Sequence, residues 1–215
     1  MNVKTFSIKD SIKFGWEKLW SNFLFIIGVV LISFTASVLL GRIQDVLGEG
    51  TPVVDIVMTV TSLFITSVIS IGYYKIFLKI HDGQRADFKD LYQHYSLFWK
   101  YLITSVLYGL MVFVGLILLI VPGIYLALKY AFAVLIVIDE ENISTMEALS
   151  KSSDITLGVK WKLLGFVILI TLINVVGAVL LGLGLLITIP MTTMASVYVY
   201  RRLAHETAGE VVVVE

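Results

Sequence analysis

The chain contains no cysteine, which excludes disulfide bridges and thiolate metal sites alike. Proline is nearly as scarce, at three residues in 215. Charge is low too: Asp, Glu, Lys and Arg make up 15% of the residues, against about 25% in a soluble domain. Sixteen basic side chains balance sixteen acidic ones, so no basic excess points to nucleic acid as a partner. The short motifs of common catalysts are missing as well, with no G-x-S-x-G elbow, phosphate loop or dinucleotide fingerprint. His81, His94 and His205 are scattered, with no H-x-x-x-H spacing for a metal. These absences lead us to expect no catalytic residue, no cofactor and no metal, in a chain that is not an enzyme.

What the chain has in excess is apolar sequence. Hydrophobic residues make up 58% and the mean hydropathy is +0.94, above the roughly 45–50% apolar content of soluble domains. A hydrocarbon core of about 30 Å needs around 20 apolar residues in a helix. Phe23–Gly41 is the first such run, and it is read as a retained span rather than a secretory signal, because about twenty amphipathic residues precede it. A polar loop of Arg42, Asp45, Gly48, Glu49, Gly50 and Pro52 follows, then a second run from about Val53 to Leu78. From Tyr101 to Ile138 the chain is almost continuously apolar, as a two-helix hairpin would be, turning near Gly115 or at Pro122-Gly123. Leu163 to Tyr200 repeats the pattern, with its turn at Gly182-Leu183-Gly184. The expectation is an all-α polytopic membrane protein of six transmembrane helices.

Lys and Arg set the orientation, since they accumulate in cytoplasmic segments. Thirteen of the sixteen fall in four segments that share one side if there are six spans. Lys4, Lys9, Lys13 and Lys18 form the first, and Lys79, Arg85, Lys89 and Lys100 the second. Lys151, Lys160 and Lys162 form the third, Arg201 and Arg202 the fourth. Both termini are therefore expected in the cytoplasm of a multi-pass protein of the cell (inner) membrane.

The chain also repeats itself. An amphipathic segment ending in an aromatic-basic cluster precedes each hairpin, with Trp16 and Trp20, then Trp99, then Trp161 as its anchors at the membrane interface. Ile8, Ile12, Trp16, Leu19 and Phe23 recur at helical spacing in the first, and Phe88, Leu91, Tyr92 and Tyr95 in the second. The third opens with Ser144-Thr-Met-Glu147, a capping-box pattern. Residues 1–205 thus read as one membrane domain of three hairpin repeats, about 5–80, 86–141 and 142–203, each preceded by an interfacial helix. A flexible tail of residues 206–215 follows. Lysines beside such helices reach toward anionic lipid headgroups.

Few residues inside the spans are expensive enough to single out. Lys129 stands between Leu128 and Tyr130, where a cation at mid-span costs about 2.5–3.5 kcal/mol on insertion scales. Pro122-Gly123 and Pro190 fall at comparable places in the second and third repeats, marking a turn, a bend or a cavity. Thr188, Thr192, Thr193 and Ser196 are placed to serve the carbonyl that Pro190 frees. Asn174 is a lone polar residue suited to an interhelix hydrogen bond, and Gly177, Gly182 and Gly184 to close helix contacts.

From Val121 to Trp161 the chain resembles the YciC-like proteins and those named for a glycerophosphoryl diester phosphodiesterase membrane domain. Pro122-Gly123-Ile124, Lys129-Tyr130, the acidic Asp139-Glu140-Glu141, Ala148-Leu149, Lys151-Ser152, Leu157-Gly158 and Trp161 carry the resemblance. It implies a six-span membrane protein with no assigned activity. The phosphodiesterase name belongs to fusions with a separate catalytic domain, whose His/Glu/Asp cluster is missing here.

Two functions remain open at this point: a non-enzymatic scaffold or regulatory protein acting through lipid, a protein partner or self-association, and a small transporter or channel with a cavity between the repeats. The orientation is directly testable. With cysteine introduced at Glu49 or at Gln93, an impermeant thiol reagent added outside intact cells is expected to label position 49 only. Labelling of 93 alone reverses the topology.

Overall fold

A computed structural model describes residues 5–48, 52–180 and 182–208. Helices make up nearly all of it, with no strand among the described residues. In chain order they are α1 (Ile8–Ser21), α2 (Phe23–Gly48), α3 (Pro52–His81), α4 (Asp90–Gln93), α5 (Phe98–Leu118), α6 (Ile120–Lys129), α7 (Ala133–Asp139), α8 (Thr145–Thr156), α9 (Lys160–Val179) and α10 (Leu185–Ala208). Five stretches are long and apolar enough to cross a membrane: Phe23–Val46, Pro52–His81, Asp90–Leu118, Ile120–Asp139 and Lys160–Val179. By length and composition this is a multi-pass membrane protein.

α10 is the axis of the bundle. Met194, Ala195, Val197, Val199, Tyr200 and Leu203 are buried along it, and α1, α2, α3, α8 and α9 all pack against it. A helix enclosed by protein has no lipid to satisfy, which explains why α10 carries more Thr, Ser and Arg than the five outer stretches.

Small residues set how closely the helices approach. In α1 the buried face is Ser11, Gly15 and Leu19, while Trp16 and Trp20 on the apolar stripe stay exposed. A Cβ at Gly15 would lie 2.5 Å from the Met191 carbonyl oxygen of α10. The backbone of α4 presses on α3 in the same way: a Cβ at Gly72 would stand 2.3 Å from Leu91 Cα.

Both later hairpins close glycine to glycine. α5 ends at Leu118, Leu119 is extended, and α6 starts at Ile120, so the turn lies between the two expected positions. Gly115 and Gly123 face each other across it, with 2.9 Å between the Cβ position of Gly115 and Gly123 Cα. In the last hairpin Gly182 adopts φ +74, and a Cβ at Gly184 would be 2.6 Å from the Gly177 oxygen. Gly123 and Gly184 thus hold corresponding places in the two hairpins. The prolines are not equivalent. Pro122 occupies the first turn of α6, where an N–H has no intrahelical partner to lose, whereas Pro190 lies inside α10.

Three further expectations are corrected. The second amphipathic segment is not one helix. It is a turn, the four-residue α4 and a single 3₁₀ turn at Tyr95–Leu97, because Asp87 and Asp90 side chains take backbone N–H groups there. Leu91 is buried, Phe88 stays exposed while its ring touches Phe25 of α2, and Tyr92 and Tyr95 face outward. Arg42 and Asp45 belong to α2 rather than to a loop, because the helix runs on through Gly41 to Gly48. At the other end, α10 carries Glu206–Ala208 beyond the expected limit of the membrane domain. Residues 209–215, the rest of the expected tail, lie outside the described residues, as do 49–51.

The apolar run from Tyr101 to Ile138 is interrupted again at Tyr130–Phe132, between α6 and α7. Ser152 Oγ of α8 accepts from the Phe132 N–H at 3.2 Å and donates to the Lys129 carbonyl at 3.1 Å. Thr156 Oγ1 lies 3.1 Å from the same carbonyl. A buried amide left without a partner costs about 1–3 kcal/mol, so α8 makes the break affordable. α8 itself begins with the expected capping box: Glu147 N–H donates to Ser144 Oγ at 3.3 Å, and Ser144 N–H to Glu147 Oε2 at 2.9 Å. It buries Ala148, Leu149, Ser152, Ile155 and Thr156, and leaves Met146 outside.

The glycine contacts can be checked by one comparison. Gly72→Ala forces a methyl into the α4 backbone and is expected to cost about 1–3 kcal/mol in a thermal or denaturant melt of the solubilised protein. Gly41→Ala, in α2 with nothing within 4 Å of its Cβ position, is expected to be neutral or to stabilise by about 0.5–1 kcal/mol. Equal melts for the two variants refute the packing argument.

Candidate functional site

The ionisable residues gather at one end of the bundle, where α3, α7 and α10 terminate. Asp139, Glu140 and Glu141 are consecutive, and each carboxylate meets a cation from a different helix. Arg201 of α10 takes Asp139, with Nη1 to Oδ2 at 2.6 Å and Nη2 to Oδ1 at 2.9 Å. Lys151 of α8 takes Glu140. Lys75 of α3 takes Glu141 at 2.8 Å.

This lattice extends sideways. Arg201 also holds Asp82, with Nη2 to Oδ2 at 2.6 Å and Nε to Oδ1 at 3.1 Å. Tyr200 donates its hydroxyl to Asp139 Oδ2 at 2.7 Å. Lys100 of α5 donates to the Glu141 carbonyl. Lys79 donates to the buried Asp90 at 2.6 Å, fixing α4 on α3. His81 Nδ1 lies 3.0 Å from Asp82, and His94 Nδ1 lies 3.4 Å from Glu141.

The Lys75 hydrogen bond holds the Glu141 carboxyl below the usual carboxylate range, against a smaller opposing effect of burial. Every one of these carboxylates has a cation at hand. The chemistry available here is mutual neutralisation that locks helix ends together. Among the described residues, no group of three His, Cys, Asp or Glu is placed to hold a metal.

The residues singled out from the sequence are not brought together. Lys129 ends α6, with its ammonium 5.0 Å from the Tyr130 ring centroid, and its carbonyl is the group that α8 engages. Asn174 Nδ2 donates to Thr192 Oγ1 across α9 and α10 at 3.1 Å. Thr192 and Thr193 donate to the Ile189 carbonyl and Ser196 to that of Thr192. The expectation that they serve the carbonyl freed by Pro190, at Leu186, is corrected, because the helix places them a turn too far along. Thr188 instead presses its hydroxyl against Gly177. Pro122, Gly123 and Pro190 shape hairpin and helix and line no described cavity. Trp16, Trp20, Trp99 and Trp161 all point outward.

Arg201, Asp90, Ser152 and Thr156 were not picked out by sequence reasoning as residues that hold the bundle. Arg201 and its neighbour Arg202 carried a signal nonetheless, as charges that end an apolar run.

Three cavities frame the site. A polar cleft of about 670 Å³ opens beside Glu140, Glu147, Lys151 and Asp154. One of about 250 Å³ lies between Lys18, Asn22, Gln84 and Arg85. The third, about 300 Å³ and apolar, runs between α6 and α9. None of the three passes along the axis of the bundle, which α10 fills. Comparison with family models, with curated proteins and with solved structures finds no match for this chain.

Arg201→Met strands Asp82 and Asp139 side by side, and breaking a largely buried ion pair from one side costs about 3–5 kcal/mol. A drop of that order in a melt of the purified protein is expected at neutral pH. Glu141 adds a pH signature. A depressed carboxyl stabilises the fold above its ordinary value of about 4.3, and that stability is lost as pH falls through the lower folded value. Glu141→Gln is therefore expected to be less stable than wild type at pH 7 by up to about 1 kcal/mol, with the difference vanishing in acid. A difference that grows in acid contradicts the pairing.

Proposed function

We propose that this chain is a six-span protein of the cell membrane, with both termini cytoplasmic, that works as a non-enzymatic scaffold or regulatory element. The sixth span in this reading is α10, and the three hairpins are α2–α3, α5 with α6–α7, and α9–α10. Its enclosure by other helices accounts for a composition less apolar than that of its neighbours. The charged end is the cytoplasmic one, because Lys and Arg gather there. The outward-facing Trp16, Trp20, Trp99 and Trp161 then stand as anchors around the bundle. The resemblance to YciC-like proteins, six-span and without assigned activity, agrees with this reading.

The observation that carries it is the consumption of charge. Lys75, Lys79, Lys151 and Arg201 each end on a carboxylate of another helix or turn. A transporter keeps such groups facing water or substrate along its path. Here they hold helices to each other, and the axis is packed. What remains for the outside world is a lipid-facing surface and a polar cytoplasmic end suited to a protein partner or a second copy.

The test is a flux assay with full-length protein in liposomes, together with Lys129→Met. The reading expects no flux of inorganic or organic anions by the wild type. It also expects the variant to fold with equal or greater thermal stability, since it removes a partly buried charge and keeps the stem. Flux that the wild type supports and Lys129→Met abolishes establishes the transporter instead.

A further inference from the structure

The groove between α6 and α9 is unlike the rest of the lipid-facing surface. It holds about 300 Å³ and is lined by Val121, Ile124, Tyr125 and Leu128 on one side and Trp161 and Leu164 on the other, with Lys160 at its rim. Lys160 is the single charged group among these, and no carboxylate joins it. Its ammonium lies over the Tyr125 ring, 5.0 Å from the centroid. That sets it apart from Lys75, Lys79, Lys151 and Arg201, each of which meets an Asp or Glu. Trp161 beside it is 86% exposed, far more than an indole packed for stability.

We propose that this groove binds an anionic phospholipid, with one acyl chain between α6 and α9 and the phosphate at Lys160. The inference rests on the membrane orientation given above. Two complementarities select the occupant. A soluble anion has no use for six apolar walls, and an uncharged chain has none for the cation. An amphiphile with an anionic head uses both, and the indole of Trp161 suits the boundary between its two halves. An anion here also offsets Lys160 in the first turn of α9, where the helix dipole is already positive.

Trp161 itself supplies the probe. Full-length protein in which Trp16, Trp20 and Trp99 are replaced by Phe is reconstituted into phosphatidylcholine vesicles, and Trp161 fluorescence is quenched with acyl-brominated lipid. Brominated phosphatidylglycerol is expected to compete for the site about fivefold better than brominated phosphatidylcholine, the effect of one lysine beside an anionic lipid. Lys160→Gln is expected to abolish the preference and Lys160→Arg to keep it. Lys162→Gln, whose ammonium is engaged by Thr5 Oγ1 at 2.7 Å, is expected to keep it too. Equal losses in the Lys160→Gln and Lys162→Gln variants mean a diffuse surface field and overturn the site. Equal quenching by the two lipids also overturns it while leaving the membrane orientation intact. No quenching by either means that Trp161 is not in the bilayer, and the orientation itself fails. Headgroup analysis of lipid retained through detergent purification gives a second reading without the tryptophan replacements. Enrichment of phosphatidylglycerol in wild type over Lys160→Gln supports the site, and equal content refutes it.

Discussion

Arg201 grips two carboxylates at once, and the rest of the fold depends on that grip. Asp82 closes α3 and Asp139 closes α7, so one guanidinium fastens both ends to the central helix α10. Only a planar fork with several donors can serve two partners in this geometry, and a lysine's point charge cannot. The flanking pairs, Lys75 with Glu141 and Lys151 with Glu140, then fix α3 and α8 on the same short segment. In lipid, apolar side chains gain nothing by leaving their surroundings for each other, so helix association needs other sources of specificity. Ion pairs supply it at one end and glycine contacts at the other.

The two ends therefore solve the same problem differently. At the hairpin turns Gly115 meets Gly123 and Gly177 meets Gly184, so the backbones approach without intervening side chains. There, dispersion over a close contact does the work, and no charge is required. At the opposite end long side chains reach from one helix to another, alongside the close contact of α4 at Gly72. A bundle fastened by unlike means at its two ends has a built-in polarity, which agrees with the distribution of Lys and Arg.

Much of this was legible in the sequence. Apolar runs of span length gave the helices, the Ser144 to Glu147 spacing gave the cap of α8, and Gly177 with Gly184 announced a close contact. Residues Asp87–Leu97 were not legible as they fold. Their apolar spacing fits a helix, yet Asp87 and Asp90 compete for the backbone locally and Gly72 admits the chain against α3. The break at Tyr130–Phe132 was hidden for a different reason. Nothing in Lys129–Ala133 forbids a helix, and the two hydroxyls that sustain the interruption come from Ser152 and Thr156, about twenty residues away. Partners of the acidic triplet were hidden likewise, since ion pairs across 62 residues leave no trace in local spacing.

The break also changes the meaning of Lys129. In an unbroken apolar run it is a cation stranded at mid-span, and a substrate or water path is the natural way to offset its desolvation. In the folded chain it is the last residue of a ten-residue helix. A cation at a helix C-terminus is favoured by the dipole, by about 0.3–1 kcal/mol at an exposed site and more where water is scarce. The face of Tyr130 adds an attraction of about 0.5–2 kcal/mol. Together these cover a good part of the roughly 2.5–3.5 kcal/mol that insertion scales assign to such a residue. The architecture thus supplies from within much of what a transport pathway would otherwise supply, and the position of Lys129 does not by itself call for an aqueous cavity.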